Sequence, residues 1–293
     1  MTYAAPYAAI TTPDGQRLHL QAWPAPDPAA ARGTVLIVHG LGEHIGRYAH
    51  VAKHLNASGW HVVGYDHRGH GRSDGPKGKI NTADDLLRDL SLVIDHVRAQ
   101  QPGLLVLLGH SMGGLVAARF VGQGVARPGE ATAEWHRPID ALVLSSPALA
   151  ADTNAVQKLL LATLGTLAPD LAVNNGLKPE WISRDPKVVA AYTADPLVHD
   201  RITPRLARFI LGNGEWVRLH AARWKVPTLL MYAGSDRCVA PSGSRDFAAT
   251  VPKPVLTAKE FGPLYHEIFN EPEQGEVLAT LSSWLQSLKG PAA

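Results

Sequence analysis

The sequence predicts an α/β fold, in which a mostly parallel central sheet carries helices on both faces. Two observations lead to this prediction. Short apolar runs alternate with longer helical patterns along the first half of the chain, as in strands joined by helical crossovers. The runs at 34–38, 104–108 and 139–144 are almost wholly apolar, which is typical of parallel strands that are buried on both faces.

The composition is that of an ordinary globular protein. With 293 residues the chain can form one large domain or two small ones, and its 45% apolar and 18% charged residues lie in the usual range. The net charge is only +2, and no block of Lys and Arg residues of the kind that follows phosphates is present. These observations argue against nucleic acid as a partner.

The cysteine count and the N-terminus indicate a cellular location. The single cysteine, Cys238, excludes an intrachain disulfide and favours a reducing compartment. The first residues lack the basic and then apolar pattern of a signal peptide. No apolar run approaches the ~20 residues that a membrane-spanning helix needs. We therefore expect a cytoplasmic protein, which would touch a membrane only peripherally.

The elements of the first half follow from hydrophobic periodicity and turn residues. A turn at Pro13-Asp14-Gly15 separates the two arms of a β-hairpin, and the second arm alternates apolar and polar residues. Gly59 ends the first long helix, and Thr82 can cap the second, whose apolar residues form one stripe. The predicted elements are a hairpin at 8–23, strands at 34–38, 60–65, 104–108 and 139–144, and helices at 47–58, 84–100 and 115–121.

A helical insertion is predicted in the second half, because the strand pattern stops after Pro147. Residues 149–224 show no strand pattern, and 156–167 are apolar on nearly every side. We predict a helical cap (lid) at 149–224, inserted after the sixth strand, and a core formed by 1–148 and 225–293. The remaining predicted elements are helices at 156–167, 186–193, 204–213, 242–250 and 272–288, the last with Pro272 in its first turn, and strands at 226–232 and 255–257.

A serine lies at the turn between strand 104–108 and the helix that follows it. Gly109-His110-Ser111-Met112-Gly113 matches the G-x-S-x-G pattern of a nucleophile elbow, in the strand–turn–helix context that the pattern requires. The turn is sharp, so the flanking glycines are needed because a Cβ would clash with the nearby backbone. An incidental serine in a glycine-rich turn is the alternative. A serine nucleophile also needs a base and an acid.

Candidates for both partners follow later strands. In an open α/β sheet, ligands bind at the carboxyl ends of the strands. Asp236 follows strand 226–232, and His266 follows the last predicted strand, so the chain order is Ser, Asp, His, as in α/β-hydrolases. Taken alone, Asp236 is equally well explained as an aspartate in a turn, and His266 as a histidine in a surface loop. Other aspartates fit this order and position less well: Asp66, Asp140, Asp152 and Asp246.

These residues have defined roles if the interpretation is right. His266 takes the proton of Ser111 as general base and later gives it to the leaving alkoxide, while Asp236 holds the imidazole in the required tautomer. The oxyanion needs two preorganised donors. One is the backbone N–H of Met112, the residue after the nucleophile. The second is expected from the loop after strand 34–38, with the N–H of Leu41 as the natural donor.

The motifs together resemble the monoacylglycerol lipase and lysophospholipase branch of the α/β-hydrolases, and the resemblance covers nearly the whole chain. It implies the α/β-hydrolase fold, a serine esterase without cofactor or metal, and a mobile apolar cap that opens toward a membrane or micelle. The resembling segments are His39-Gly40-Leu41-Gly42-Glu43-His44, Tyr65-Asp66-His67-Arg68-Gly69-His70-Gly71-Arg72-Ser73, Gly109-His110-Ser111-Met112-Gly113-Gly114, Gly234-Ser235-Asp236-Arg237, Tyr265-His266-Glu267-Ile268-Phe269-Asn270-Glu271 and, in the cap, Leu177-Lys178-Pro179, Ile182-Ser183-Arg184-Asp185 and Asp195-Pro196-Leu197-Val198-His199.

Two histidine clusters have a metal-site alternative. The segment 39–44 is similar to a zinc motif, but its spacing is one residue too long and its two glycines disfavour the helix that such a motif needs. The second cluster contains Asp66, His67 and His70, where the neighbouring glycines indicate a tight loop and Arg68 is interpreted as a structural hydrogen bonder. We therefore predict no metal.

The leading function is hydrolysis of monoacylglycerols to fatty acid and glycerol through an acyl-enzyme on Ser111. A lysophospholipase or a broad-specificity carboxylesterase is the alternative, and a non-catalytic binding protein of the same fold is a more distant one. The leucine-rich cap segment supplies the candidate substrate-binding residues Leu159, Leu160 and Leu164. The simpler interpretation is that these leucines form the core of a small helical cap.

Overall fold

The computed structural model describes residues 9–125, 132–151 and 165–289, and the backbone of residues 5–6. Its strands are β1 (Ala5–Pro6), β2 (Ile10–Thr11), β3 (Arg17–Leu18), β4 (Leu20–Trp23), β5 (Gly33–Val38), β6 (His61–Tyr65), β7 (Leu104–His110), β8 (Ala141–Ser145), β9 (Val173–Asn174), β10 (Arg201–Ile202), β11 (Thr228–Ala233) and β12 (Leu256–Phe261). Its α-helices are α1 (Ala49–Ala57), α2 (Asp85–Gln100), α3 (Met112–Gly122), α4 (Pro186–Ala194), α5 (Pro204–His220), α6 (Pro241–Thr250) and α7 (Gln274–Ser287).

The central sheet has eight strands in the order β1-β4-β6-β5-β7-β8-β11-β12. Strand β4 pairs antiparallel with both of its neighbours, and the pairs from β6 to β12 are parallel. The prediction of a mostly parallel sheet is therefore confirmed. Strand β8 is the sixth strand of this sheet along the chain, and the helical cap expected after it stays a prediction.

The core has two apolar layers, one on each face of the sheet. Successive side chains of a strand point to opposite faces. On β5, Leu36 and Val38 pack into the layer that contains α2 and α3, whereas Val35 and Ile37 pack into the layer that contains α1 and α7. Both faces of the central strands are thus buried, which explains why their sequences are apolar throughout.

The N-terminal hairpin is confirmed as the pair β2 and β3, in which Ile10 lies opposite Leu18. The predicted capping role of Thr82 is wrong. Its hydroxyl and its backbone N–H both donate to the carboxylate of Asp85, which also accepts from the N–H of Asn81. The acidic side chain in the first turn of α2 binds the preceding loop, and Asp84 occupies the N-cap position without a side-chain cap hydrogen bond.

The segment between β8 and β11, residues 149–224, departs from the prediction in two ways. The expectation of no strand is wrong, because β9 and β10 pair antiparallel, with Val173 opposite Ile202. The helix predicted at 204–213 continues to His220 as α5. Gly214 lies inside it at a close approach to the core, where a Cβ would lie 2.7 Å from the carbonyl oxygen of Leu149. We call 149–224 the cap segment, and its division from the core stays a prediction.

The remaining boundaries shift by a few residues. Strand β12 runs on to Phe261, and α7 starts at Gln274, so Pro272 precedes the helix instead of lying in its first turn. Of the apolar helix predicted at 156–167, only 165–167 falls within the described residues, where it is helical. None of the helices in the described part of the chain is long and apolar enough to cross a membrane.

Candidate active site

The elbow between β7 and α3 holds Ser111 in a strained conformation. Its φ of 55° and ψ of −120° lie in a region that L-residues seldom adopt. A Cβ on Gly109 would lie 2.5 Å from the carbonyl oxygen of Gly113, and one on Gly113 would lie 2.1 Å from that of Val38. Only glycine fits at either position, so the elbow geometry explains the two glycines of the motif.

The structure brings Ser111, His266 and Asp236 together from three separate segments. The Ser111 Oγ lies 2.8 Å from His266 Nε2, and His266 Nδ1 lies 2.7 Å from Asp236 Oδ2. Because Nδ1–H donates to the carboxylate, Nε2 is free to accept the serine hydroxyl. The other Asp236 oxygen accepts the backbone N–H groups of Cys238 and Val239, at 2.8 and 3.0 Å, which fixes the carboxylate on its loop after β11.

The charge state of His266 is set by opposing effects. Burial disfavours the imidazolium, but the Asp236 carboxylate, followed by Glu267 and Glu43, outweighs burial and raises the pKa of His266 above its ordinary value of 6.5. The neighbouring ring of His110 lies 4.8 Å away, and burial together with His266 lowers the pKa of His110 to about 3. His110 is therefore neutral beside the site.

A pH profile follows from the raised pKa. The general base must be neutral, so kcat/KM for a soluble aryl ester should fall as the pH drops through the pKa of His266, with a midpoint above 6.5. Initial rates between pH 5 and 9, with tryptophan fluorescence as a check on folding, measure this midpoint. Full activity retained down to pH 5 by folded protein would contradict the assignment of His266 as base.

The candidate oxyanion donors lie next to Ser111. Leu41 and Met112 line the same cavity as the serine. Met112 is the first residue of α3, where an N–H group has no partner within the helix. Among the described residues, neither backbone N–H donates to a protein acceptor. The loop around Leu41 is shaped by Gly42, whose φ is +78°.

Two cavities meet at Ser111 and share Leu41 and Cys238. The first, of about 390 Å³, is called the polar cavity here, and its lining includes Glu43, Lys178, Tyr192, Asp195, His199 and Glu267. The second, of about 530 Å³, is called the apolar cavity, and its lining includes Ala148, Leu149, Pro204, Ala207, Ile210 and Leu211. An ester placed at Ser111 would have one part in each cavity.

The predicted substrate-binding residues Leu159, Leu160 and Leu164 lie outside the described residues. Part of the described wall of the apolar cavity comes from α5, which the sequence interpretation did not single out as a substrate-binding element. The sequence contains a pattern that could have indicated this wall. Ala207, Ile210 and Leu211 recur at the spacing of one helix face, which forms an apolar stripe.

Asp236, Cys238 and His266 form a cluster of potential metal ligands, whose ligand atoms lie within 4.8 Å of one another. Both ring nitrogens of His266 already have protein partners. Burial, followed by the Asp236 charge, raises the pKa of the Cys238 thiol, and a protonated thiol is a poor metal ligand. In segment 39–44, Glu43 and His44 are likewise bonded to protein groups. The absence of a metal stays a prediction.

Arg68 is confirmed as a structural hydrogen bonder. Its guanidinium donates to both oxygens of Asp89, at 2.7 Å each, and also to Asp85 and Asp14. These contacts tie the loop after β6 to α2 and to the N-terminal hairpin. In the same loop, position 71 must be glycine, because a Cβ there would collide with the Asp66 carboxylate.

Sequence reasoning missed a group of charged residues beside the site. Arg47 lies in the 3₁₀ turn Ile45–Tyr48 before α1, and it donates to Glu43 and to Glu267, the residue after His266. The pair Arg47 and Glu267 is separated by 220 residues in the chain, so no local pattern reveals it. The one local indication in the sequence is that Glu267 directly follows His266.

Comparison with known proteins identifies the family. The family model described as serine aminopeptidase, S33, matches residues 29–273. The chain is similar to a monoacylglycerol lipase of Mycolicibacterium smegmatis, with 39% identity over 93% of this chain and 94% of that relative. It is also similar to the phospholipase YtpA of Bacillus subtilis, with 33% identity over 87% of this chain and 94% of that relative.

A solved structure agrees with these relatives. The monoacylglycerol lipase of Paleococcus ferrophilus matches with a TM-score of 0.80 and 35% identity, over 92% of this chain and 98% of that chain. The fold, the elbow and the sequence relatives agree with one another. The chain therefore belongs to the serine aminopeptidase S33 family of α/β-hydrolases, in its monoacylglycerol lipase and phospholipase branch.

Proposed function

We propose that the protein hydrolyses monoacylglycerols to a fatty acid and glycerol, with Ser111 as nucleophile, His266 as base and Asp236 as its orienting acid. The observation that carries the proposal is the continuous hydrogen-bonded arrangement of the three side chains at the junction of two cavities, one lined by several charged side chains and the other mainly by apolar ones.

The reaction takes two acyl-transfer steps. His266 Nε2 takes the proton of Ser111 as Oγ attacks the ester carbonyl, and the N–H groups of Leu41 and Met112 stabilise the oxyanion. Collapse of this intermediate expels the alkoxide, which receives the proton from His266. Water, activated by the same histidine, then releases the fatty acid from the acyl-enzyme and restores Ser111.

The lining of the cavities supports an uncharged polar head on the substrate. Four carboxylates line the polar cavity, whereas Lys178 is the only Lys or Arg among its described lining residues. A phosphate group would meet this excess of negative charge, while glycerol hydroxyls can donate to it. The acyl chain is proposed to occupy the apolar cavity along α5. This arrangement favours monoacylglycerols over lysophospholipids.

A substrate panel tests the proposal. Initial rates on monoolein, lysophosphatidylcholine and oleoyl lysophosphatidate, at equal concentrations in the same detergent micelles, should fall in that order. Diolein, triolein and a short aryl ester complete the panel. Equal or faster turnover of the phospholipids would replace the proposal with a lysophospholipase, and a strong preference for the aryl ester would indicate a general carboxylesterase.

The non-catalytic alternative has its own test. A fluorophosphonate probe should form an adduct on Ser111, because the neutral His266 activates that hydroxyl. Mass spectrometry locates the adduct. Folded protein that remains unlabelled would favour a binding protein of this fold.

The cap segment is proposed to contact a membrane or micelle surface. Leu167, Leu171 and Leu177 are 78%, 54% and 37% exposed, which is unusual for several large apolar residues of one segment. Leu177 also lines both cavities, so one of these exposed leucines reaches the site. A cytoplasmic location with peripheral membrane contact remains our proposal.

A further inference from the structure

Arg47 joins two carboxylates that belong to different parts of the site. Its Nη1 donates to Glu43 Oε2 at 2.8 Å and to Glu267 Oε1 at 2.6 Å, and its Nη2 donates to Glu267 Oε2 at 2.7 Å. The three side chains are 5 to 11% exposed. We call Glu43, Arg47 and Glu267 the carboxylate clamp.

One end of the clamp holds the loop that carries Leu41. Glu43 Oε1 accepts the backbone N–H of Gly40 at 2.6 Å and the hydroxyl of Tyr48 at 2.7 Å. A Cβ on Gly40 would lie 2.9 Å from the same Glu43 oxygen and 3.1 Å from the Cβ of Ser111. The carboxylate therefore fixes the His39–Gly40 peptide, one peptide before the Leu41 N–H, at a point where a side chain on Gly40 would crowd Ser111.

The other end of the clamp lies beside the base. Glu267 follows His266 in the chain, and its carboxylate also accepts the side-chain amide of Asn270 at 2.9 Å. Its backbone N–H donates to Ile182 of the cap segment at 2.8 Å. The position of the base is thus linked to both the core and the cap.

The clamp carries one more negative than positive charge. Two carboxylates face one guanidinium, and burial limits the screening of the remaining charge by solvent. Within the described parts of the chain, the other titratable groups beside His266 are Asp236, the neutral His110 and the protonated Cys238. Glu267 and Glu43 follow Asp236 as the carboxylates that favour the imidazolium of His266.

We propose that the carboxylate clamp is a positioning device for the proposed ester hydrolysis, in which Glu43 orients the Leu41 oxyanion donor and Glu267 stabilises the imidazolium of His266. The inference rests on the proposed function, because it assigns these residues to the same reaction. A purely structural brace would affect unfolding alone, leaving kcat and the pH profile of folded protein unchanged.

Two substitutions separate the roles of the ends. Glu267→Gln preserves the shape of the side chain and removes one negative charge, so the acid-side midpoint of kcat/KM should move down by about 0.5 to 1 pH unit. Glu43→Ala removes the acceptor for the Gly40 N–H, so kcat should fall roughly 10- to 100-fold, with a smaller change in KM. Glu43→Gln retains an acceptor oxygen and should recover most of this loss in kcat.

The matched control is Glu276→Gln. Glu276 is 61% exposed and pairs with Lys259 on the surface, so this variant should keep the wild-type midpoint and kcat. All variants are assayed on a soluble aryl ester, and thermal unfolding confirms that each is folded at the assay temperature. Wild-type labelling by the fluorophosphonate probe is measured in parallel.

The outcomes distinguish a failure of the proposed ester hydrolysis from a failure of the positioning role of the clamp. Unlabelled, inactive wild-type protein overturns the proposed function, and the inference with it. Active wild-type protein with an unchanged midpoint in Glu267→Gln and an unchanged kcat in Glu43→Ala overturns only the positioning role. A lowered midpoint, together with a loss of kcat that glutamine rescues, supports it.

Discussion

Replacing Ser111 by alanine is expected to lower kcat for monoolein by roughly 10⁶-fold while the protein remains folded. The hydroxyl makes one side-chain hydrogen bond among the described residues, to His266, so its removal costs little stability. Alanine keeps the Cβ of serine, so it neither relieves nor increases the backbone strain at a φ of 55°. Stopped assays over hours are needed to measure the residual rate.

A serine remote from the site provides the control for this variant. Ser287→Ala removes an exposed hydroxyl that donates to the Trp284 carbonyl at the end of α7, and it should retain wild-type turnover. Thermal unfolding of both variants should occur within a few degrees of wild type. Turnover by Ser111→Ala at even a tenth of the wild-type rate would show that another residue is the nucleophile.

The second large effect concerns stability. Arg68→Met should lower the free energy of unfolding by about 3 to 5 kcal/mol, because it leaves two buried carboxylates without their cation. Asp85 and Asp89 are 7% and 1% exposed, and both accept hydrogen bonds from Arg68. Methionine fills much of the same space without supplying a charge. Urea unfolding at neutral pH measures the loss.

The pH dependence of this loss identifies its cause. Burial already raises the pKa of Asp89, although Arg68 opposes the shift, and removing Arg68 should raise it further. A carboxyl group with a raised pKa in the folded state binds a proton more readily there than in the unfolded chain, so folding gains stability as the pH falls. The deficit of Arg68→Met should therefore be smaller at pH 5.5 than at pH 7.5.

An exposed arginine serves for comparison. Arg17 and Asp74 form a surface pair at 3.7 Å, with side chains 63% and 48% exposed. Arg17→Met should cost less than about 1 kcal/mol, since exposed ion pairs contribute little. Equal losses for the two variants would mean that burial of the Arg68 cluster does not determine its contribution.

The parts of the site that the sequence predicted were those with local or ordered signals. The elbow at Ser111 depends on five consecutive residues in a strand–turn–helix context, so it could be recognised directly. Asp236 and His266 were found because the carboxyl ends of parallel strands meet at one edge of the sheet. The pH profile tests the role of His266, and the Glu43 variants test that of the Leu41 donor.

The parts that the sequence did not predict depend on contacts between distant segments. The hydrogen bond between Arg47 and Glu267 forms only after the turn before α1 and the loop after β12 pack together. The strands β9 and β10 have two residues each, too few to produce a period. Thr82 was misassigned because a hydroxyl next to a helix start can donate as well as accept.

His199 of the cap segment contacts two loops of the core at once. Its N–H donates to the Gly42 carbonyl at 2.9 Å, and its Nε2–H donates to that of Gly69 at 3.1 Å. Its Nδ1 accepts the N–H of Arg201, which fixes the ring tautomer. A displacement of the cap at this point would break both contacts with the core. In amide hydrogen exchange, the 40–43 loop and residues 199–201 should therefore open as one cooperative unit, so substrate entry and oxyanion binding share a single opening equilibrium.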